Sequence, residues 1–238
     1  MIFDIDSFSD KGPRSENQDA LGFDNFLKGS VFKACIADGV GGGRCGAMAS
    51  SYAVERFITL SSSQVENKRQ VLLEINDFLS NQSISNPDCK GIATTLTGFL
   101  VDSNYILRGI HVGDSRLCIL RGNGLKQLSE DHTEVKRLLR KGLISKEGAE
   151  KYPRKNILES ALGMPTSRVT IQEFEFQVNP RDRIILTTDG LHNKISTIEM
   201  RDLSITSITS KEFCSKVQLL MKTKAIDDNF SLVAVTIP

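Results

Sequence analysis

Between residues 93 and 121 the chain reads ATTLTGFLVDSNYILRGIHVGDSRLCILR, apolar runs separated by only a few polar residues. Connections that short leave no room for the helix that a parallel crossover needs, so hairpins and antiparallel sheets are expected rather than a doubly wound parallel sheet. Other strand-like runs are IFDIDSFS, ALGFD, SVFKACIAD, RVTIQEFEFQV, DRIILTTDG and NFSLVAVTI, many with the period-2 alternation of half-buried strands. Helical periodicity falls at about 43 to 60, 65 to 81, 132 to 141 and 211 to 222. No internal repeat or low-complexity linker divides the chain, and its 238 residues suit one domain spanning 1–238. The fold class is therefore α+β.

With 30 basic and 29 acidic residues and a net charge of +1, the sequence carries no nucleic-acid footprint. No apolar stretch approaches the roughly 20 residues needed to span a bilayer, and MIFDIDSFSDKG lacks the pattern of a signal peptide, so a cytoplasmic protein away from membranes is expected. The five cysteines, Cys35, Cys45, Cys89, Cys118 and Cys214, show no C-x-x-C spacing. Reduced, buried thiols are expected rather than a disulfide framework or a zinc site. None has an arginine six residues later, which excludes the phosphate loop of a cysteine-based phosphatase. The three histidines, His111, His132 and His192, are too few for an imidazole-built metal centre. His111 is expected in a sheet, His132 at a helix start, capping the helix or ordering the loop, and His192 beside the site without ligating.

The stretch CIADGVGGGRCG at 35 to 46 contains Gly41, Gly43 and Gly46 in G-x-G-x-x-G spacing. A dinucleotide site there needs strand, helix, strand in close succession and a positive helix end facing the pyrophosphate. Here a second helical pattern follows the first, and Asp38 puts a carboxylate where the phosphates would lie. Asp38 is one of several aspartates at the rims of apolar strands, with Asp114 in HVGDSR, Asp189 in ILTTDG, and Asp227 and Asp228 in IDDNFSLVAV. Any one of these reads as a turn residue. Together they would repel one another unless a cation lies between them, and an oxygen-only set suits Mg²⁺ or Mn²⁺. Two such ions can activate water toward a phosphorus, and a guanidinium such as Arg14, close to Asp19, can grip the phosphate oxygens.

In order, RSENQD (14 to 19), ADGVGG (37 to 42), ATTL (93 to 96), HVGDSR (111 to 116), EDHT (130 to 133), NILESALG (156 to 163), TTDGL (187 to 191) and DDNFS (227 to 231) resemble the motifs of the metal-dependent Ser/Thr protein phosphatases of type 2C, the PPM family, in compact bacterial form. The resemblance implies a four-layer α-β-β-α sandwich, two stacked antiparallel sheets flanked by helices. It implies that Asp38 bridges two Mn²⁺ or Mg²⁺ ions, that the Gly39 carbonyl ligates one of them, and that Asp189 and Asp228 complete the shell of the other. Asp19 would orient waters, Arg14 would hold the substrate phosphate, and Asp114 would help bind a weaker third ion. Residues of about 142–165 would form a flap beside the site. The implied partners are proteins phosphorylated on Ser or Thr, with a Ser/Thr kinase in opposition and the chain acting as a monomer.

The sequence departs from the family pattern at Gln18, where a glutamate is usual, at Val40, where many eukaryotic relatives have histidine, at Asn193, where an aspartate is usual, and at Ala93 in place of glycine. A phosphoprotein-binding domain without catalysis and a nucleotide-binding oxidoreductase remain as rival readings at this point.

Overall fold

The computed structural model describes residues 3–24, 31–41, 44–61, 64 and 66–238. The chain runs β1 (Asp4–Asp10), β2 (Asp19–Asp24), β3 (Phe32–Val40), α1 (Arg44–Ile58), α2 (Lys68–Ser85), β4 (Ala93–Thr94), β5 (Leu96–Val101), β6 (Ile106–Val112), β7 (Arg116–Arg121) and β8 (Gly124–Gln127). It continues through α3 (Glu134–Arg140), α4 (Lys146–Glu150), β9 (Gln172–Gln177), β10 (Arg183–Thr187), α5 (Asp189–His192), α6 (Thr197–Ile205), α7 (Ser210–Met221) and β11 (Phe230–Thr236). The first residues expected in strands at 2 and 30 and in helices at 43 and 65 lie outside the described residues, as do Gly42 and Gly43 of the glycine-rich stretch.

One sheet has the order β1-β11-β10-β7-β8 and the other β2-β3-β5-β6-β9, with β4 paired to β3. Every pairing between these strands is antiparallel. Alternation along each strand builds the layers. In β3, Phe32, Ala34 and Ile36 point between the sheets to meet Leu117, Ile184, Leu186, Val233 and Val235 of the other sheet. Their neighbours Cys35 and Ala37 point outward onto the apolar faces of α1 and α2, with Ala49, Ala53, Phe57, Leu72, Ile75 and Leu79. On the opposite side, Leu232 and Ala234 of β11 pack with Phe213, Val217 and Met221 of α7. The result is the expected four-layer α-β-β-α sandwich.

β5 and β6 form the expected hairpin, with Leu96 opposite Val112. β6 and β7 do not pair: the chain leaves one sheet at Val112 and enters the other at Arg116. Gly113 makes this crossing at φ 109, a backbone conformation that L side chains rarely adopt, and a Cβ there would strike Thr95. The connection steps across instead of folding back as a hairpin, and it places Asp114 where the two sheets meet.

Two expectations need correction. Cys45 and Cys89 form a disulfide across 44 residues, with Cα atoms 5.4 Å apart. Linear spacing cannot show that the first turn of α1 and the 3-10 turn Pro87–Cys89 lie side by side, which is why the pair escaped the C-x-x-C criterion. Cys35, Cys118 and Cys214 are free and buried, as expected. Of the two roles expected of His132, capping the following helix or ordering the loop, the first falls to Thr133, whose side chain accepts from the Lys136 amide, and the second holds, since His132 accepts from the Gly113 amide. β8, α4, α5 and α6 are additional to the elements read from the sequence.

Phe57 is fully buried, and its ring occupies the space a Cβ on Gly98 would need. Phe57→Ala should therefore cost about 3–5 kcal/mol, read as a lowered urea midpoint at unchanged slope.

Candidate active site

All the strand-end aspartates gather at one end of the sandwich. The β2–β3 register places Asp19 directly opposite Asp38. Asp114 arrives on the crossing between β6 and β7, Asp189 opens α5 just after β10, and Asp228 lies just before β11. Arg14, Gln18, Asp38, Gly39, Asp114, Asp189 and Asp228 line one cavity of about 420 Å³. The residues expected to act together are thus brought together.

Hydrogen bonds of the backbone fix the strand that carries Asp38. The Asp38 amide donates to Thr95 Oγ1 at 2.8 Å, and its carbonyl accepts from the Thr95 amide at 2.9 Å and from Thr94 Oγ1 at 3.0 Å. Gly39 donates to the Gln18 carbonyl at 3.0 Å. A side chain at Gly39 would collide with the Gly46 carbonyl, so glycine is required there by close packing. Gln18 lies against Gly46 and donates from Nε2 to the Gly41 carbonyl at 3.3 Å. The amide at this position thus serves the glycine turn that follows Asp38.

Asp19 is held from one side only. Its Oδ2 accepts hydroxyl bonds from Thr188 at 2.8 Å and Ser231 at 2.7 Å, whereas Oδ1 is buried without a partner. Burial is the main cause of its raised pKa, pushed to about 7, with Asp189 and Asp228 adding to it against the two hydroxyls. Asp38 is raised well above the usual carboxylate range by burial and then by Asp19, Asp189, Asp114 and Asp228. Burial, with Asp189 and Asp131, lifts Asp114 to about 8, while Asp189 is raised by burial and Asp228. An oxygen with no donor, within a set of carboxylates that disfavour one another's charge, fits a site that receives cations.

Arg14 supplies the nearby positive charge, bonding Asp228 Oδ2 through Nη2 at 2.8 Å and the Asp227 carbonyl through Nε at 3.1 Å. Among the described residues, no group of three or more His, Cys, Asp or Glu side chains is drawn together tightly enough to hold an ion as it stands. Asp228 is engaged by Arg14 instead.

Several supporting residues carried no assignment from the sequence although their motifs were noticed. Asn229 ties the loop bearing Arg14 to β11: its Oδ1 accepts from the Gln18 amide at 2.9 Å, and Nδ2 donates to the carbonyls of Lys11 at 2.8 Å and Glu16 at 3.0 Å. Asp131 is buried against Arg116, which bonds both of its oxygens. Burial opposes its charge, but the guanidinium prevails and brings it to about 2. His132 accepts from the Gly113 amide at 3.2 Å, supporting the turn that carries Asp114. His111 is buried in its sheet against Thr97 Oγ1 and the Glu130 carbonyl. His192 is bonded to Thr187 Oγ1 and borders a neighbouring cavity rather than the one lined by Asp38. Asn193, which donates to Asp189 Oδ2 at 3.4 Å, borders that second cavity too.

The raised carboxylates bind their protons more tightly in the folded than in the unfolded chain. Their stabilising contribution is therefore complete below the ordinary value of 3.8 and is lost as pH rises through about 7 for Asp19 and about 8 for Asp114. Burial holds His111 and His192 below 6.5, an opposing effect that begins only as pH falls through that value. Calorimetry of EDTA-treated protein should accordingly show Tm rising as pH falls from about 8.5 to 6.5. Asp38→Asn should raise Tm at the alkaline end by removing the most crowded charge.

A family model for protein phosphatase 2C matches residues 12–223. The serine/threonine phosphatase stp of Listeria monocytogenes is 34% identical, the match covering 84% of this chain and 82% of that one. Protein phosphatase PhpP of Streptococcus pneumoniae is 32% identical over 73% of this chain and 72% of its own. Among solved structures, serine/threonine phosphatase Stp1 from Staphylococcus aureus superposes with a TM-score of 0.89 at 27% identity, covering all of this chain and 96% of that one. The catalytic domain of the phosphatase PstP, solved in complex with 2 manganese ions, gives 0.82 at 24% identity over 99% of each chain. With the two-sheet sandwich and the carboxylate-lined cavity at its end, these matches establish that the chain belongs to the protein phosphatase 2C family.

Proposed function

We propose that the chain hydrolyses phosphoserine and phosphothreonine in proteins, using divalent ions held in the carboxylate-lined cavity. The observation that carries the reading is the convergence of Asp38, Asp114, Asp189 and Asp228 with Arg14 around that space, with Asp19 behind it, opposite Asp38 in the β2–β3 pairing. Asp38, the Gly39 carbonyl, Asp189 and Asp228 would hold two Mn²⁺ or Mg²⁺ ions, as a manganese pair is held in the PstP domain, and Asp114 a weaker third. When bound, the ions supply the positive charge that lowers the pKa of the attacking water and offsets the charge of the phosphate.

The chain's own groups bind and orient. Arg14 Nη1 makes no hydrogen bond among the described residues and is free to take a phosphate oxygen, while Nε and Nη2 anchor the guanidinium to the segment before β11. Asp19 Oδ1, buried without a partner, would accept a hydrogen bond from the attacking water, and the hydroxyls on Oδ2 hold the carboxylate in place. Val40 stands at the rim where some relatives have histidine, so the departing serine or threonine oxygen takes its proton from water. The reading places the enzyme in the cytoplasm as a single-domain monomer opposing a Ser/Thr kinase; no helix among the described residues is long and apolar enough to cross a membrane.

Purified protein should release phosphate from a phosphothreonine peptide with Mn²⁺ or Mg²⁺ and not in excess EDTA. Asp38→Asn should lower kcat by about 10³-fold or more, since it removes a charge shared by both ions. Arg14→Ala should raise KM roughly 10- to 100-fold through loss of a charge-assisted hydrogen bond. Folded, metal-supplemented protein that releases no phosphate from several phosphopeptides would overturn the reading.

A further inference from the structure

Beside the carboxylate-lined cavity lies a second one of about 450 Å³, and Asp114, Asn156 and Asp189 border both. The two spaces are thus contiguous, one on each side of the same short rim. The second is walled on its far side by Val135 and Leu139 of α3 and Ala149 of α4, with Lys136, Lys146 and Lys155 around it.

The charges there are unequally engaged. Arg116 is consumed by Asp131 through three hydrogen bonds, and Lys136 stands 3.8 Å from the same carboxylate. The arginines of this region are likewise taken: Arg137 by Glu159, Arg140 by Glu130 and Arg154 by Glu134. Lys146 and Lys155 have no ion pair or side-chain hydrogen bond among the described residues, Lys146 having only the neighbouring charge of Glu147; of the acidic side chains that line the cavity, Asp131 is taken by Arg116, Asp114 and Asp189 belong to the shared rim, and Glu150 remains. Apolar walls carrying two unengaged ammonium groups suit a side chain with a short aliphatic stem and an anionic end.

We infer that this cavity is a subsite for an acidic side chain flanking the phosphorylated residue of the substrate. The inference rests on the phosphatase reading and names its substrate class: phosphoproteins with glutamate, aspartate or a second phosphate next to the scissile one. A peptide whose phosphate reaches the aspartates can lay its neighbouring side chain across the Asn156 rim toward Lys146 and Lys155. Ammonium groups attract such a group as point charges, so the preference weakens as salt is raised.

The test compares phosphothreonine peptides that differ only at the flanking positions, carrying alanine, glutamate or phosphoserine, with p-nitrophenyl phosphate as a substrate too small to reach the second cavity. Wild type should show kcat/KM about tenfold higher for the glutamate peptide than for the alanine peptide, through KM, with the gap closing as ionic strength rises. The Lys146→Ala/Lys155→Ala variant should lose that gap and hydrolyse p-nitrophenyl phosphate at the wild-type rate, while Lys146→Arg/Lys155→Arg should keep it. A larger gain with phosphoserine than with glutamate would identify a second phosphate as the preferred anion. Equal hydrolysis of the alanine and glutamate peptides by an active wild type, or a gap that survives in the alanine variant, would overturn the subsite. Failure to hydrolyse any substrate would instead sink the phosphatase reading beneath it.

Discussion

The dominant constraint in this structure is the mutual repulsion of carboxylates held at one end of a sandwich. Asp38 is half-buried beside Asp19, Asp189, Asp114 and Asp228, each of which disfavours its charge. Such a cluster persists only because its backbone cannot yield. Paired hydrogen bonds between the Asp38 backbone and Thr95, and the amide of Gly39 on the Gln18 carbonyl, fix the chain independently of the carboxylates, while the hydroxyls of Thr188 and Ser231 hold the Asp19 carboxylate itself. The well-packed layers behind them supply the rigidity, and the aspartates supply the affinity for positive charge.

Much of this was legible in the sequence, for identifiable reasons. The apolar runs in β3 and β11 mark strands covered on both faces, and the short links among β5, β6 and β7 exclude parallel crossovers. Aspartates next to glycine at the ends of those strands marked the site, since both residue types have a restricted range of uses. What was not legible depends on proximity between distant segments. The Cys45–Cys89 pair, the Arg116–Asp131 pair and the grip of Asn229 on the loop bearing Arg14 each join residues that no local pattern relates. The crossing after β6 was missed for a different reason, since a short link looks the same whether it returns within a sheet or steps to the next. α6 was a missed opportunity, because Ser196 and Glu199 form a capping box whose S-x-x-E spacing stands in the sequence.

The departures at Gln18 and Asn193 take on a physical meaning in three dimensions. Gln18 donates to the Gly41 carbonyl, a bond that a carboxylate could not make, and so trades a charge near the cavity for a stiffer turn beside Asp38. Asn193 caps α5 and donates to Asp189, restraining a carboxylate where an aspartate would repel it. Both substitutions lower the negative charge of a region already crowded with it.

The aspartates are also divided between the sheets. Asp19 and Asp38 belong to the β2–β3 side, Asp189 and Asp228 to the β10–β11 side, and Asp114 to the link between β6 and β7 that steps from one sheet to the other at Gly113. A cation taken up by both halves therefore acts as a clasp at the open end of the sandwich. It would join two layers that meet behind the cavity through packed apolar side chains. By linkage, a cation bound by both halves would resist any displacement of one sheet relative to the other by the same free energy with which that displacement would weaken its binding.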